Sequence, residues 1–365
     1  MLSQTHGQTD SRATTAKPRP ATVLLTGATG YVGGRLLLRL QATPDHRVRC
    51  ITRRPDALAD RTGDQTEVFT GDVLDPSSLA RAMDGVETAY YLIHSMNAPG
   101  NFEALDRAAA TNFAVAARQA GVRRIIYLGG LGAGDQLSSH LASRQEVGQI
   151  LRKSGVRTIE FRASIVIGSG SASFETVRAL VESLPVVVTP GCVETAAQPI
   201  AIEDVVDYLL AALQYESSAI FEIGGRDRVS YAEIIREYAR QRGLRRRLAR
   251  IPLFSPRAAR FCLGLLTPRY GRVAGAMVEG LRNETVVNTG AALEAFPIRP
   301  RGLKDSIARA LIDQQRDFAE TGWSDALGSR GASGLQRHDG RPADRLLTRN
   351  HASEGPGARS IVVNS

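Results

Sequence analysis

The stretch ATVLLTGATGYVGGRLLLRL, residues 21–40, decides the fold. Its first seven residues form a short apolar run that ends in Gly27, and its last ten have the apolar spacing of an amphipathic helix. Between them, Gly27, Gly30 and Gly33 predict a tight turn that can approach a ligand closely, because glycine has no Cβ atom. The N–H groups and dipole at the start of the following helix favour phosphate. This order predicts the first βαβ unit of a dinucleotide-binding fold.

The rest of the chain repeats the alternation of strands and helices. Strand patterns occur at 46–53, 66–73, 87–96, 123–130 and 157–168, and helical patterns lie between them at 76–86, 102–122 and 138–151. This rhythm predicts an α/β protein with a doubly wound parallel sheet, a Rossmann fold. Beyond Gly168 the pattern becomes irregular, which favours a smaller C-terminal lid subdomain over the carboxyl ends of the strands.

Four segments follow from these patterns. We expect a disordered leader at 1–20, an NAD(P)-binding Rossmann domain at 21–168, a substrate and lid region with the completing strands at 169–323, and a disordered tail at 324–365. The leader lacks the apolar core of a signal peptide, and no apolar run is long enough to cross a bilayer. We therefore expect a cytoplasmic protein.

Composition excludes several classes of function. Cys50, Cys192 and Cys262 have no metal-ligand or disulfide spacing, so we predict no metal site. The net charge of +9 comes largely from arginines clustered at 240–250 and in the tail. We interpret these clusters as solvated surfaces and expect no nucleic-acid partner.

The residues at the end of the second predicted strand indicate which dinucleotide the chain binds. An acid at this place would bind the ribose hydroxyls and favour NAD, but the sequence has Arg53 and Arg54. A guanidinium pairs with a 2′-phosphate, so NADP(H) is favoured. NAD(H) is the alternative if Asp56 binds the ribose instead. Asp72 and Val73 close the third strand, where the carboxylate could meet the adenine or simply be solvated.

Further motifs carry a family resemblance over residues 21–310. They are TGATGYVG, YLIHSM, Asn112, HLASRQEVGQILRKSGV, EFRASIVIGSGSASFE and PIAIEDVVDYL. With them the chain resembles the atypical short-chain dehydrogenase/reductases, in particular an uncharacterised bacterial subgroup of the NmrA-like NAD(P)-binding family. The glycine turn and this resemblance together predict the cofactor-binding residues Gly27, Thr29, Gly30, Tyr31, Val32, Gly33, Arg53, Arg54, Asp72, Val73, Ile93, His94 and Arg144. The resemblance places the substrate beside Ser95, Met96, segment 162–170 and the SASFE loop.

The catalytic set of these reductases is replaced in this chain. Typical relatives use Ser, Tyr and Lys, whereas here Gly129 and Gly130 occupy the serine region, and His140 and Arg144 hold the Tyr and Lys positions. Spaced i, i+4, His140 and Arg144 share a helix face. The charge of Arg144 disfavours the imidazolium form, so His140 is expected to be mostly neutral near pH 7 and a poor proton donor. His94 is another candidate donor; alternatively, both histidines are polar residues without a catalytic role.

Three hypotheses result. The first is an NADP(H)-dependent oxidoreductase that reduces a small apolar substrate, such as a quinone or a conjugated enone. The second is a non-catalytic, NADP(H)-sensing regulatory module, suggested by the loss of all three catalytic groups. The third is a peripheral accessory protein of a membrane redox complex, because RRRLARIPLF at 245–254 places basic residues beside apolar ones. For that segment we favour a place in the lid core. Nothing in the sequence specifies an oligomeric state.

Overall fold

The computed structural model describes residues 20–43, 45–63, 65–95, 101–134, 136–189, 191–250 and 279–320. The predicted tail, nearly all of the predicted leader, Met96 and residues 251–278 lie outside this part of the chain.

The strands and helices follow the alternation that the sequence predicts. The strands are β1 (Ala21–Thr26), β2 (His46–Thr52), β3 (Thr66–Thr70), β4 (Thr88–Tyr91), β5 (Arg124–Gly130), β6 (Arg157–Ala163), β7 (Val166–Ile167), β8 (Val186–Thr189), β9 (Ala196–Ala197), β10 (Ile200–Ala201), β11 (Ala219–Ile223), β12 (Val229–Ser230) and β13 (Arg247–Arg250). The helices are α1 (Tyr31–Gln41), α2 (Pro76–Met83), α3 (Phe102–Gln119), α4 (Ser139–Lys153), α5 (Ala172–Ser183), α6 (Ile202–Ala211), α7 (Tyr231–Gln241), α8 (Ala291–Ala295) and α9 (Leu303–Glu320).

Seven strands form a parallel central sheet in the order β11-β6-β5-β4-β1-β2-β3. The chain winds outward from β1 to β3 and then returns to β4 on the other side of β1. This reversal creates a crevice at the carboxyl ends of β1 and β4, where doubly wound folds bind their ligands. The predicted Rossmann fold is confirmed.

Helices cover both faces of the sheet because their apolar stripes face it. On one face, Leu36 and Leu40 of α1 pack in a core cluster with Val205 and Leu209 of α6. On the other face, α2, α3 and α4 bury a second cluster that includes Phe113. A third cluster joins α5, α7 and α9 beyond the central sheet, beside three two-stranded sheets that pair β10 with β7, β12 with β9 and β13 with β8.

The third predicted strand ends at Thr70, where its neighbour β2 ends at Thr52, so Asp72 and Val73 lie in the loop after it and do not close the strand. Two further predicted strands also end early. The fourth, predicted to reach residue 96, ends at Tyr91, because β1 ends at Thr26 and the N–H of Leu92 donates instead to the Thr26 hydroxyl at 3.1 Å. The sixth, predicted to run to Gly168, leaves the central sheet after Ala163, and its last residues pair with β10 as β7. Both strands therefore end where loops that line the crevice begin.

No helix in the described ranges combines the length and the apolar character that a membrane span requires.

Candidate functional site

A cleft of about 640 Å³ opens at the carboxyl ends of the central strands. This volume is typical of small-molecule and cofactor sites. Every residue predicted to bind the cofactor lines it except Arg54. Further lining residues come from the ends of β5 and β6, from α4 and α5, and from the later chain: Gly129, Gly130, Leu131, His140, Leu141, Ala163, Ser164, Ile165, Val166, Ser171, Ala172, Ser173, Tyr231, Gly280 and Thr285.

The glycine turn between β1 and α1 forms one wall of the cleft through its backbone. Gly27 has φ +72°, and a Cβ atom added there would lie 2.4 Å from the Leu92 carbonyl oxygen. A Cβ at Gly33 would lie 2.1 Å from the Gly27 carbonyl oxygen. No side chain caps α1, whose first residues, Tyr31 and Val32, line the cleft. A close backbone turn before an uncapped helix start fits a pyrophosphate.

The ends of β2 and β3 form the part of the cleft where the adenosine is expected. The Arg53 guanidinium lies 3.9 Å from the Asp72 carboxylate, and its side chain is 73% exposed, so it can turn to a ligand. Two side chains hold the backbone of Asp72 and Val73. The Ser78 hydroxyl donates to the Asp72 carbonyl at 2.8 Å, and the Asn112 amide donates to the Val73 carbonyl at 3.3 Å. Asn112 therefore supports this loop.

The two arginines after β2 diverge in position. Arg53 lines the cleft, whereas Arg54 does not, and its backbone N–H donates to the Thr52 hydroxyl at 3.1 Å. Asp56, the alternative ribose ligand, is exposed and also lies outside the cleft lining. Arg53 is thus the better placed of the two predicted guanidinium groups for a 2′-phosphate.

His94, His140 and Arg144 meet at the opposite end of the cleft. The two imidazole rings lie edge to face, with centroids 6.2 Å apart. Arg144 is anchored to β5, because its Nη2 donates to the Leu128 carbonyl at 2.6 Å and its own carbonyl accepts from the Tyr127 hydroxyl at 2.8 Å. The structure therefore brings together the three candidate catalytic residues from two different elements.

Both imidazoles are neutral at pH 7. Burial, then the charge of Arg144, then His94 lower the pKa of His140 to about 2. Burial and Arg144 also lower the pKa of His94, to about 4. His94 is exposed to the cleft, whereas His140 is half-buried, so cleft water screens the charge of Arg144 more at His94 than at His140. The sequence identified Arg144 as the cause for His140, but burial is the larger one.

The space where relatives carry a serine is filled by other side chains. A Cβ atom at Gly130 would lie 2.8 Å from Leu141 Cδ2 and 3.5 Å from Arg144 Cδ. At Gly129 it would lie 3.1 Å from the Tyr127 ring. A serine at Gly130 would therefore require Leu141 to move, and a serine at Gly129 would require a small shift of the Tyr127 ring.

Three lining residues lie far along the chain and escaped sequence analysis. Tyr231, Gly280 and Thr285 come from the predicted lid region, where no local motif marks them. The Ser164 hydroxyl donates to the Thr285 hydroxyl at 2.7 Å, which ties Thr285 to the residue that follows β6. Ser95 lines the cleft as predicted, as do Ser171 and Ser173. SASFE is not a loop, however, because Ser171 is the N-cap of α5 and the next four residues form its first turn.

Residues 27–164 match a family model described as NAD(P)H-binding. This part of the chain is an NAD(P)H-binding domain, in agreement with the resemblance to the atypical short-chain dehydrogenase/reductases. The chain is 32% identical over 115 residues to a 3 beta-hydroxysteroid dehydrogenase/Delta 5→4-isomerase of Mycobacterium tuberculosis, which covers 29% of this chain and 30% of that protein. The chain thus matches less than a third of the length of this curated relative.

Two solved structures share the fold. An NADPH-dependent quinone oxidoreductase from Escherichia coli, complexed with NADPH, superposes with a TM-score of 0.63 at 18% identity, over 80% of this chain and 99% of its own. A Citrobacter sp. triphenylmethane reductase complexed with NADP(H) has the same TM-score of 0.63, identity of 18% and coverage of 80% and 99%. At these identities the likeness establishes the architecture.

Proposed function

We propose that this chain, whose residues 27–164 are an NAD(P)H-binding domain consistent with the atypical short-chain dehydrogenase/reductases, is an oxidoreductase that uses NADP(H) to reduce a quinone or a conjugated carbonyl. The observation that carries this proposal is the meeting of His94 and His140, whose ring centroids lie 6.2 Å apart, with the anchored guanidinium of Arg144 in the cleft. Burial and the charge of Arg144 lower the pKa of both imidazoles, which favours their neutral forms at pH 7. Such a site stabilises negative charge better than it supplies a proton.

The cofactor would lie across the carboxyl ends of the central strands, with its pyrophosphate and its 2′-phosphate bound by different groups. The backbone of the glycine turn would bind the pyrophosphate, and Arg53 would pair with the 2′-phosphate of the adenosine ribose. Arg53 already lies beside Asp72 at the rim of the cleft, on the far side of the glycine turn from His140. This placement favours NADP(H) over NAD(H).

Bound NADPH supplies a hydride. A quinone or conjugated carbonyl that accepts a hydride at one atom places the negative charge on an oxygen through its conjugated system. The neutral His94 and His140 can each donate one N–H hydrogen bond to that oxygen, and Arg144 adds a fixed positive charge. The proton that completes the product then comes from water. A simple ketone would instead become an alkoxide, which needs an acid during the transfer.

The walls beyond the histidines suit a small, mostly apolar substrate. Ile165, Val166 and Ala172 contribute apolar surface there, and Ser173 and Tyr231 contribute hydroxyl groups. An apolar wall with a few polar groups is typical of sites for compact aromatic or alicyclic ligands.

The proposal is tested by following NADPH oxidation with 1,4-benzoquinone, 2-cyclohexen-1-one and cyclohexanone. We expect the quinone to be reduced fastest, the enone more slowly and the ketone not above background. The quinone rate should be nearly flat from about pH 5.5 to 8, because neither histidine titrates there. Replacing one hydrogen-bond donor, in His140→Phe, should lower kcat with quinone about 100-fold.

The main alternative is an NADP(H)-sensing regulatory module. It is favoured by the side chains of Leu141 and Arg144 that fill the region of the catalytic serine. Tight NADPH binding without oxidation by any of the three acceptors would overturn the reductase and support this module. The accessory-protein hypothesis depends on residues 245–266, most of which lie outside the described ranges.

A further inference from the structure

A buried carboxylate, Asp106 of α3, lies behind the two histidines. It is 2% exposed. One of its oxygens accepts the backbone N–H of Ser95 at 2.7 Å, and the other accepts the Ser143 hydroxyl at 3.1 Å. Within the described ranges no lysine or arginine forms an ion pair with it. Burying a carboxylate without a cation is costly, so such a group is retained where its hydrogen bonds matter.

Both partners of Asp106 are chain neighbours of site residues. Ser95 directly follows His94 in the loop after β4, and Ser143 directly precedes Arg144 on α4. Ser143 also lies one helical turn beyond His140. The carboxylate therefore joins the loop that carries His94 to the helix that carries His140 and Arg144.

We propose that Asp106 is a positioning residue that sets the distance between His94 and the His140–Arg144 face of α4. Its catalytic consequence rests on the proposed function, whereas its effect on the two histidines does not. A carboxylate suits this task because it offers one acceptor oxygen to each of two donors. Asparagine can do the same if the Ser143 hydroxyl reverses and accepts from the amide, whereas alanine leaves the Ser95 N–H without its acceptor.

A second contact, from the central sheet, holds α4 next to the residue that Asp106 contacts. Tyr91 of β4 packs edge-on against Phe113 of α3, with centroids 4.9 Å apart, and against Tyr127 of β5 at 5.9 Å. Tyr127 in turn holds the carbonyl of Arg144. Helix α4 is thus fixed at two adjacent residues, by Tyr127 from the sheet and by Asp106 from α3, while Asp106 is the side chain that ties down the loop after His94.

Asp204 of α6 provides a matched control. It is equally buried, at 2% exposed, and accepts the backbone N–H of Arg301 at 2.8 Å. It does not line the cleft, and its second partner is the guanidinium of the same Arg301. Removing it should cost stability without changing the geometry of the histidines.

The experiment is an NMR titration of the histidine ring protons in the full-length wild type, Asp106→Ala, Asp106→Asn and Asp204→Ala. In Asp106→Ala we expect the pKa of His94 to rise by about one unit or more toward the free value, because the loop moves away from the charge of Arg144 on α4. Loss of the negative charge alone would lower that pKa, so the sign of the shift separates positioning from electrostatics. Asp204→Ala should keep the wild-type pKa values. Asp106→Asn, which loses the charge but keeps both hydrogen bonds, should not raise the pKa of His94.

Turnover with 1,4-benzoquinone gives the second measurement. We expect kcat to fall about 10- to 100-fold in Asp106→Ala with KM nearly unchanged, and to be largely retained in Asp106→Asn. If Asp106→Ala does not fold, Ser143→Ala removes one connection only and should shift the His pKa values in the same direction. The proposal is overturned if folded Asp106→Ala keeps the wild-type His pKa values, or if Asp204→Ala shifts them equally. A wild type that does not reduce quinone contradicts the proposed function alone, since the titration still tests the positioning.

Discussion

One end of the cleft is formed by backbone atoms and the other end by side chains. At the phosphate end, Gly27 and Gly33 define the wall through backbone atoms that approach within distances no Cβ would allow. At the other end, His94, His140 and Arg144 define it through side chains whose charge states depend on one another. Backbone geometry is hard to change by single substitutions, whereas side chains are readily exchanged. We therefore expect substitutions at the two ends to affect cofactor binding and the proposed reaction separately.

The largest effect is expected from Gly33→Ala at the phosphate end. The added methyl group would lie 2.1 Å from the Gly27 carbonyl oxygen, so β1 and α1 must separate. Overpacking of this kind costs about 1–3 kcal/mol. Part of that cost falls on the bound conformation of the turn, and we expect the Kd for NADPH to rise about 10- to 100-fold, with a lower Tm. Titration calorimetry and thermal melting measure both quantities.

Gly63→Ala is the control for this substitution, because no atom lies within 4 Å of a Cβ at Gly63. It should bind NADPH as the wild type does. If Gly33→Ala binds NADPH with unchanged affinity, the backbone at the phosphate end is not rigid, and the contrast between the two ends of the cleft fails.

The next largest effect is expected from Arg53, whose side chain lies on the adenosine side of the phosphate end. Arg53→Ala should weaken NADPH binding about 10- to 100-fold, since a charge-assisted hydrogen bond contributes about 1.5–3 kcal/mol. NADH affinity should hardly change, because losing the exposed contact with Asp72 costs little. Arg54→Ala, which lies off the cleft, is the matched control. Equal losses for NADPH and NADH in Arg53→Ala would contradict an interaction with the 2′-phosphate.

The sequence predicted the phosphate end well because its determinants are local. A strand, three glycines and a helix are contiguous between residues 21 and 40, and the structure places them as expected. Strand alternation likewise predicted the parallel sheet. The approximate location of His140 and Arg144 followed from their i, i+4 spacing, which the helix preserves.

The remaining features of the site depend on contacts between distant segments. Two hydrogen bonds between distant segments mark where strands end. The Leu92 N–H donates to the Thr26 hydroxyl beyond the end of β4, and the Ile200 N–H donates to the Ile165 carbonyl beside β7. The periodicity of the sequence carries no information about such contacts. The same holds for Arg54, which a motif cannot distinguish from Arg53, and for Asp106, which is an ordinary helical acid until its two partners are known.

The smallest effect concerns the stability of the histidine end as pH falls. Free histidine has a pKa of about 6.5. In the folded protein His94 titrates at about 4 and His140 at about 2. Above pH 6.5 neither the folded nor the unfolded chain is protonated at these positions, so their neutral burial costs nothing. As pH falls below about 6.5, the unfolded chain binds protons that the folded chain does not, and stability is lost progressively toward the folded pKa values.

For His140 this loss is at most about 1.4 kcal/mol per pH unit, and it is smaller for His94, which cleft water screens. Urea unfolding at pH 7, 6 and 5 measures it, above the range in which most carboxylates titrate. His140→Gln should flatten the slope, and His94→Gln with His140→Gln should flatten it further. A wild-type stability that is constant from pH 7 to 5 would mean that the imidazoles bind protons as readily in the folded chain as in the unfolded chain. The histidine end could then act as an acid. It would differ from the phosphate end in its residue types, but not in the chemistry proposed above.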